Sequence, residues 1–257
     1  MVSVDLNCDM GESFGPWVMG RDAELMDYVS SVNIACGFHA GDASTMRKTV
    51  EMAVSKGVAI GAHPSYPDLQ GFGRRNMSLS PQEVFDVVLY QVAALKGICK
   101  ASGARLHHVK PHGALYNQAA KDQMLARSIV EAIGKLDESL IVYCLAGSFL
   151  VSEAERLGLQ HASEAFADRT YQPDGRLTPR TQSNALITSV ESASKQALQM
   201  VNERTVETAD GELISIQADT ICIHGDGAHA VEFARAISDK LIKSGITISR
   251  VEPLSNG

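Results

Sequence analysis

The chain has 257 residues, of which 45% are hydrophobic and 21% charged, and its formal net charge is −7. This composition is typical of a globular protein, and its acidic balance does not favour binding to nucleic acid or to an anionic membrane. The sequence has no apolar run of 18 residues, so we predict neither a signal peptide nor a membrane span. Five scattered cysteines without a CxxC pair favour a reducing compartment, and we expect a cytoplasmic location.

Strand-like and helix-like segments alternate along the chain, and this pattern predicts parallel β/α architecture. A further apolar run, Ile246–Val251, is predicted as an eighth strand or as a tail along the wall of a barrel. The seven clearest strand segments are Val2–Cys8, Val32–Gly37, Val58–Ala62, Leu106–Lys110, Leu140–Leu145, Leu159–Glu164 and Thr220–His224.

The predicted helices have recognisable ends. Asp42 is the expected N-cap of a helix over Ser44–Lys56, and Ser80 to Glu83 form a capping-box pattern that opens a helix ending near Ser102. The Asp210-Gly211 pair predicts a small hairpin between Thr205–Thr208 and Glu212–Ile216. The other predicted helices cover Gln118–Lys135, Ser148–Leu157, Asn184–Asn202 and Gly227–Lys243.

The sequence contains no linker, low-complexity tract or internal repeat, so we predict a single domain over residues 1–257. A doubly wound open sheet would show the same alternation of strands and helices. Such sheets usually bind nucleotides through a Gly-rich first turn, and the segment from Cys8 to Glu12 (CDMGE) is not one. We therefore favour a closed β/α barrel.

Polar residues alternate with apolar ones in the predicted strands and therefore share one face of each strand. In a barrel the apolar set faces the helices and the polar set faces the lumen. Burying an unpaired charge is costly, so ionisable groups at the strand ends indicate a functional site at the C-terminal rim. Asp5 lies deeper, and we predict that it is a hydrogen-bonded structural carboxylate. The rim set is Asp9, His39, His63, Lys110, His112, His224 and Asp226.

Six ordered segments resemble the LamB/YcsF family, and together they cover nearly the whole chain. The segments are DLNCDMGE (5–12), NIACGFHAGD (33–42), GAHPSYPDLQGFGRR (61–75), HVKPHGALYN (108–117), EAFADRTYQPDGRL (164–177) and IHGDG (223–227). The resemblance implies a seven-stranded β/α barrel of the glycoside hydrolase/deacetylase type, with Ile246–Val251 as a terminal extra. It also implies a component of an ATP-dependent 5-oxoprolinase, which converts 5-oxoproline, ATP and water to L-glutamate, ADP and phosphate together with subunits B and C.

ATP is thus the expected co-substrate, yet the sequence has no GxxxxGK[ST] phosphate loop. The nearest Gly-rich segment, residues 71–75 (GFGRR), does not match that motif. Nucleotide chemistry therefore needs the partner subunits or a site that no short motif reveals.

The candidate catalytic residues carry side chains suited to the hydrolysis of an amide. Asp9 or Glu12 could act as a general base on water, and His63 or His112 as an acid or base near neutral pH. Lys110 and a rim histidine such as His39 could stabilise developing negative charge. The candidate substrate-binding residues are Asn7, Arg74, Glu164, Arg169, His224 and Asp226; the arginines suit a carboxylate or a phosphoryl group.

A divalent metal is a further expectation, besides any Mg²⁺ that accompanies ATP. Deacetylases of the same superfamily use an aspartate and two histidines at strand ends, and Asp9, His63 and His112 could imitate that set, with His39 as a competitor. Such a metal would lower the pKa of its bound water. Two alternative functions follow from the same residues: a stand-alone, metal-dependent deacetylase of a carbohydrate or amide, and a non-catalytic subunit that binds a lactam or sugar.

Overall fold

The computed structural model describes residues 2–223 and 229–253. The strands of this part are β1 Ser3–Met10, β2 Ser31–Ala35, β3 Ala59–His63, β4 His108–Val109, β5 Ile141–Leu145, β6 His161–Phe166, β7 Thr205–Glu207, β8 Leu213–Ser215, β9 Thr220–Ile223 and β10 Thr247–Ile248. Strands β1 to β6 and β9 pair in parallel and in chain order, and β9 also pairs with β1. This pairing closes a seven-stranded barrel and confirms the predicted fold class.

The helices pack around this barrel as the connections between its strands. They are α1 Asp22–Leu25, α2 Ala43–Lys56, α3 Pro81–Ala101, α4 Gly113–Ala119, α5 Gln123–Leu136, α6 Phe149–Leu157, α7 Val190–Asn202 and α8 Ala230–Lys243. The Asp42 carboxylate accepts hydrogen bonds from the N–H groups of Ser44 and Thr45, and Ser80 and Glu83 form the predicted capping box. No helix of the described residues is long and apolar enough to cross a membrane.

Two predicted helices were wrong in their bounds. The predicted helix Gln118–Lys135 joins the end of α4 to α5, and the two are separate because Asp122 leaves the helical conformation and its carboxylate caps the first turn of α5. The predicted helix Asn184–Asn202 begins only at Val190, after its N-cap Ser189. The residues before Val190 belong to a loop, in which the carbonyls of Asn184 and Ala185 accept hydrogen bonds from Thr170 and Arg169.

The two strand pairs outside the ring agree with the sequence. Strands β7 and β8 form the predicted antiparallel hairpin. Strand β10 pairs in parallel with Ser3 and Val4 of β1, whereas β9 pairs with β1 from Asp5 to Cys8. The terminal run is therefore an extra strand at the amino-terminal end of β1 and not a member of the closed ring.

The lumen is polar, as the alternation predicted. Asp5 is buried near its amino-terminal end, and its carboxylate accepts hydrogen bonds from Ser30, Ser31, Tyr143 and Thr220 at 2.6–2.9 Å. Burial raises the pKa of Asp5, and the four hydroxyl donors oppose that rise. The prediction that Asp5 is a structural carboxylate is confirmed by these contacts.

Candidate functional site

A buried ion cluster forms one part of the floor of the site, at the carboxyl ends of the strands. The Nζ atom of Lys110 lies 2.9 Å from Oδ1 of Asp9 and 2.8 Å from Oε1 of Glu164. It also lies 3.0 Å from Sγ of Cys222. Burial alone would lower the pKa of Lys110, but Asp9, Cys222 and Glu164 together raise it well above its usual value. Lys110 is therefore a fixed cation between two carboxylates.

Amide and phenol groups hold this floor in place. Asn33 donates through Nδ2 to Oδ1 of Asp9 at 2.8 Å and to Oδ1 of Asn7 at 2.7 Å. Asn7 in turn donates to Oε1 of Glu164 at 2.9 Å, and the hydroxyl of Tyr116 donates to Oε2 at 2.5 Å. The sequence analysis did not select Asn33 or Tyr116. Asn33 was detectable, because it lies on the lumen side of β2 and is in register with Asp9.

A second cluster lies beside this floor and brings together three histidines and Glu12. Each offers one ligand atom, and the four atoms lie within 4.8 Å of one another. Oε1 of Glu12 is 3.4 Å from Nε2 of His39 and 3.9 Å from Nδ1 of His112. Glu12, His39 and His112 follow strands β1, β2 and β4, and His63 ends β3. Four consecutive strands therefore contribute to one buried cluster.

The hydrogen bonds of two rings assign their tautomers. Nδ1 of His63 lies 2.7 Å from the carbonyl oxygen of Lys110, and Nε2 of His112 lies 2.9 Å from that of Phe72. A carbonyl only accepts, so these two nitrogens carry the protons. The remaining nitrogens, Nε2 of His63 and Nδ1 of His112, lie 2.9 Å apart. With these tautomers both nitrogens present lone pairs, and an arrangement of this kind suits a shared proton or a bound cation.

The donor set of this cluster suits a divalent metal ion. Imidazole nitrogens with a carboxylate are the ligands that zinc and related ions prefer. Burial, with the neighbouring imidazoles, lowers the pKa of His39 and of His112 well below the usual value, which keeps these rings neutral. Neither ring nitrogen of His39 forms a hydrogen bond within the described part of the chain. The cluster is therefore a possible metal-binding site.

The structure also brings together the three residues predicted from the sequence as a metal set. Oδ2 of Asp9 lies 3.2 Å from Nε2 of His63, which faces His112. Oδ1 of the same carboxylate is engaged by Lys110 and Asn33. Glu12 and His39 are thus additional ligand candidates, and the assignment of Asp9 as a ligand stays a prediction.

A glycine-containing loop between β3 and α3 packs directly on the histidines. Gly73 has φ +65°, and a Cβ there would lie 2.2 Å from Oγ of Ser65 and 2.8 Å from Cβ of His39. Only glycine allows this approach without displacement. The carboxylate of Asp68 accepts from Gly71 N and from Nε of Arg75, and these bonds fix the loop. The close packing of Gly73 on the histidines was not predicted from the sequence.

A cavity of about 440 Å³ lies above both clusters. Asp9, Glu12, His63, Lys110 and His112 line its floor. Its other charged lining residues are Arg74, Lys121, Arg169, Arg176 and Arg180. Four of these basic residues are solvent-exposed and form the mouth of the cavity. We call this set the cationic mouth; it consists of Arg74, Lys121, Arg176 and Arg180.

Arg169 differs from the other basic residues because it is buried. Its Nε donates to the carbonyl of Ala185 at 3.1 Å and its Nη2 to that of Thr178 at 2.6 Å. These bonds fix the loop between β6 and α7, which explains why the predicted helix start at Asn184 was wrong. The predicted substrate-binding role of Arg169 and of Arg74 stays a prediction. His224 and Asp226, the other two rim candidates, lie outside the described residues.

The LamB/YcsF family model matches residues 4–256. This chain belongs to that family. A protein from Tolumonas auensis, named as the A subunit of 5-oxoprolinase, is 60% identical over 248 residues, which are 96% of this chain and 99% of that protein. The family resemblance seen in the six sequence segments is therefore confirmed.

Two solved structures share the fold of this chain. The crystal structure of a lactam utilization protein from Thermus thermophilus has 46% sequence identity and a TM-score of 0.92, covering 97% of this chain and 100% of that one. A polysaccharide deacetylase from Bacillus cereus has a TM-score of 0.50 at 14% identity and covers 100% of this chain and 95% of its own. At that identity the likeness concerns the fold alone.

Proposed function

We propose that this chain is the A subunit of an ATP-dependent 5-oxoprolinase and that it opens the lactam ring, while phosphorylation takes place on partner subunits B and C. The relative at 60% identity carries the name of that subunit. The observation that carries the assignment of ring opening is the floor of the cavity, where the Asp9–Lys110 pair lies beside the His63–His112 pair. Such a constellation suits water activation and proton transfer.

The chemistry explains why ATP is needed. The lactam is an amide, and resonance across its C–N bond makes the ring carbon a poor electrophile. Phosphorylation of the lactam oxygen weakens that resonance and makes the ring carbon a good electrophile for water. The chain has no Gly-rich phosphate loop of the known type, so we assign the phosphorylation to the partners and the hydrolysis to this site.

Each residue of the floor has a different proposed role in the hydrolysis. A carboxylate, Asp9 or Glu12, accepts a proton from the attacking water. Lys110 supplies a fixed positive charge that stabilises negative charge developing on the substrate. The His63–His112 pair, which can share a proton between its facing nitrogens 2.9 Å apart, delivers that proton to the departing ring nitrogen. If Glu12, His39, His63 and His112 instead held a divalent ion, that ion would lower the pKa of its bound water, and the two histidines would serve as its ligands rather than as proton donors.

The test is glutamate formation from 5-oxoproline and ATP, measured with this chain alone, with subunits B and C alone, and with all three. We expect glutamate only from the complete mixture and none when the His63→Gln variant replaces the wild type. His161→Gln is the matched control, because His161 lies at the start of β6, away from the cavity lining, and should leave the rate unchanged.

Two other outcomes would contradict the proposal. ATP-independent deacetylation of a carbohydrate or amide by this chain alone, without glutamate from any mixture, would support a stand-alone metal-dependent deacetylase. Full activity of the His63→Gln variant in the complete mixture would indicate a non-catalytic binding subunit.

A further inference from the structure

We propose that the cationic mouth is a phosphoryl-binding subsite built from Arg74, Lys121 and Arg180. The ligand class is a dianionic phosphoryl group attached to the lactam oxygen of the substrate. This inference rests on the proposed function and extends it, because it identifies the species that enters the cavity as an already activated lactam.

The first observation is the separation of charge along the cavity. The carboxylates that line it, Asp9 and Glu12, belong to the floor. All the other charged residues that line the cavity above this floor, within the part of the chain that the structure describes, are basic. The whole chain carries a net charge of −7, so this local excess of cations runs against the protein's overall charge. A basic mouth over an acidic floor favours an anionic group held outside the reacting atoms.

Three different connections bring these cations to one cavity. Arg74 belongs to the loop between β3 and α3, Lys121 follows α4, and Arg180 belongs to the loop between β6 and α7. The buried guanidinium of Arg169 bonds to two carbonyls of the last loop and so fixes the segment that carries Arg180. Arg176 also lines the mouth, and its Nε lies 2.8 Å from Oδ2 of Asp174 in an exposed pair within that loop.

Electrostatic effects agree with this convergence. The guanidinium carbon of Arg74 lies 4.9 Å from the centroid of the Phe72 ring, which packs edge-on against the His112 ring at 5.3 Å, so Arg74 is close to the histidine cluster. Burial, followed by the charge of Arg180, lowers the pKa of Arg169 to about 10. Two arginines therefore act on the cavity from opposite loops.

A phosphoryl group fits the mouth better than a carboxylate does. The carboxylate of 5-oxoproline has one negative charge, which a single guanidinium can match through two hydrogen bonds. A phosphoryl group has nearly two charges and three acceptor oxygens, and these match a set of three cations. The cavity volume of about 440 Å³ accommodates both the ring and this group.

The proposed step balances as follows. One water adds to the ring carbon of the phosphorylated lactam, and its proton passes to a floor carboxylate. The ring C–N bond then breaks, and its electron pair and a proton go to the nitrogen. The carbon is left as an acyl phosphate, and a second water converts it to the new carboxylate and free phosphate. The mouth holds the phosphoryl oxygens throughout, which favours cleavage of C–N before loss of phosphate.

The test uses inorganic phosphate as the probe, titrated calorimetrically into the isolated chain. We expect Arg180→Gln, Lys121→Gln and Arg74→Gln each to weaken phosphate binding about tenfold, corresponding to loss of one charge-assisted contact. Arg127→Gln is the matched control, because Arg127 pairs with Glu131 on the surface of α5 and does not line the cavity. Unchanged phosphate affinity in all three mouth variants, or no phosphate binding by the wild type, would overturn the proposal.

A second arm distinguishes phosphate on the lactam from phosphate on a nucleotide. The same variants, placed in the complete complex, should raise the ratio of ADP to glutamate formed, because activation continues and ring opening slows. ATP binding to the isolated chain that is tighter than phosphate binding and lost in the mouth variants would assign the mouth to the nucleotide and contradict the inference. If the wild-type complex forms no glutamate, the proposed function fails, while the phosphate titration still tests the subsite.

Discussion

Nε2 of His63 faces Nδ1 of His112 at 2.9 Å, although the other nitrogen of each ring already donates to a backbone carbonyl. Two neutral rings held this way place two lone pairs together next to the carboxylates of Asp9 and Glu12. The backbone therefore fixes the direction in which both rings present their free electron pairs. This relationship makes the rim a site for a proton or a cation and not a packed barrel core.

The histidine cluster predicts metal binding that can be measured without activity. Adding Zn²⁺ to chelator-treated protein at about 100 times the dissociation constant should stabilise the fold by about 2.7 kcal/mol. Co²⁺ should give a visible absorption band at one equivalent. His39→Gln and Glu12→Gln should weaken binding, whereas His161→Gln should not. A wild type whose unfolding midpoint is unchanged by either ion would show that the cluster holds no metal.

The Lys110 cation predicts a large loss of stability when it is removed. Lys110→Met removes the cation between Asp9 and the fully buried Glu164, and we expect a loss of about 3–5 kcal/mol in the free energy of unfolding. The matched control is Lys96→Met, which breaks a partly exposed pair with Asp137 and should cost about 0–1 kcal/mol. Urea unfolding of both variants measures the difference, and equal losses would contradict a special role for Lys110.

The close approach of Gly61 to His108 leaves no room for a side chain at position 61. A Cβ there would lie 2.1 Å from Nε2 of His108, which bonds to Oδ1 of Asn33 at 2.8 Å. Gly61→Ala should displace His108 and cost about 1–3 kcal/mol. Gly97→Ala, in α3 with open space around it, should instead stabilise the chain by about 0.5–1 kcal/mol. Thermal and urea unfolding of the two variants measure the change in stability. A change of the same sign in Gly61→Ala and Gly97→Ala would contradict the predicted clash with His108.

The buried His108 predicts a pH dependence of stability. Burial, followed by the charges of His107, Lys110 and His63, lowers the pKa of His108 well below its usual value of about 6.5. The unfolded chain then binds the proton first, so this contribution to stability is present above about pH 6.5 and is lost as the pH falls. His108→Gln should reduce the slope of unfolding free energy below pH 6.5 by up to about 1.4 kcal/mol per pH unit. The control is His229→Gln, which replaces an exposed histidine and should leave that slope unchanged. Equal slopes for the wild type and His108→Gln would show that His108 does not cause the pH dependence.

Much of the fold could be predicted because it depends on local patterns. The alternation of Val4, Leu6 and Cys8 with Asp5 and Asn7 identified the lumen face of β1, and the same rule located the rim histidines. The capping residues of α2 and α3 are equally local signals. The split between α4 and α5 was missed, since the apolar pattern continues across the break and only the capping by Asp122 reveals it.

The parts of the site that escaped prediction depend on contacts between distant segments. The carbonyl of Phe72 fixes the tautomer of His112, and backbone groups leave no mark in the side-chain pattern. The guanidinium of Arg169 bonds to carbonyls of a loop whose course the sequence did not reveal, while its predicted contact with substrate stays a prediction. Tyr116 reaches Glu164 from α4, and this contact follows only from the closure of the barrel.

The most direct test of the central claim is the partition of ATP turnover in the complete complex that contains the His63→Gln variant. ADP and glutamate would be measured in the same reaction, beside wild type and His161→Gln. We expect 5-oxoproline-dependent ADP formation to persist. Glutamate formation should fall by at least about 100-fold, because the variant lacks the His63 ring of the pair that transfers a proton to the ring nitrogen. A parallel fall of ADP and glutamate, with the complex still assembled, would contradict the claim that this chain opens the ring after its partners have spent ATP.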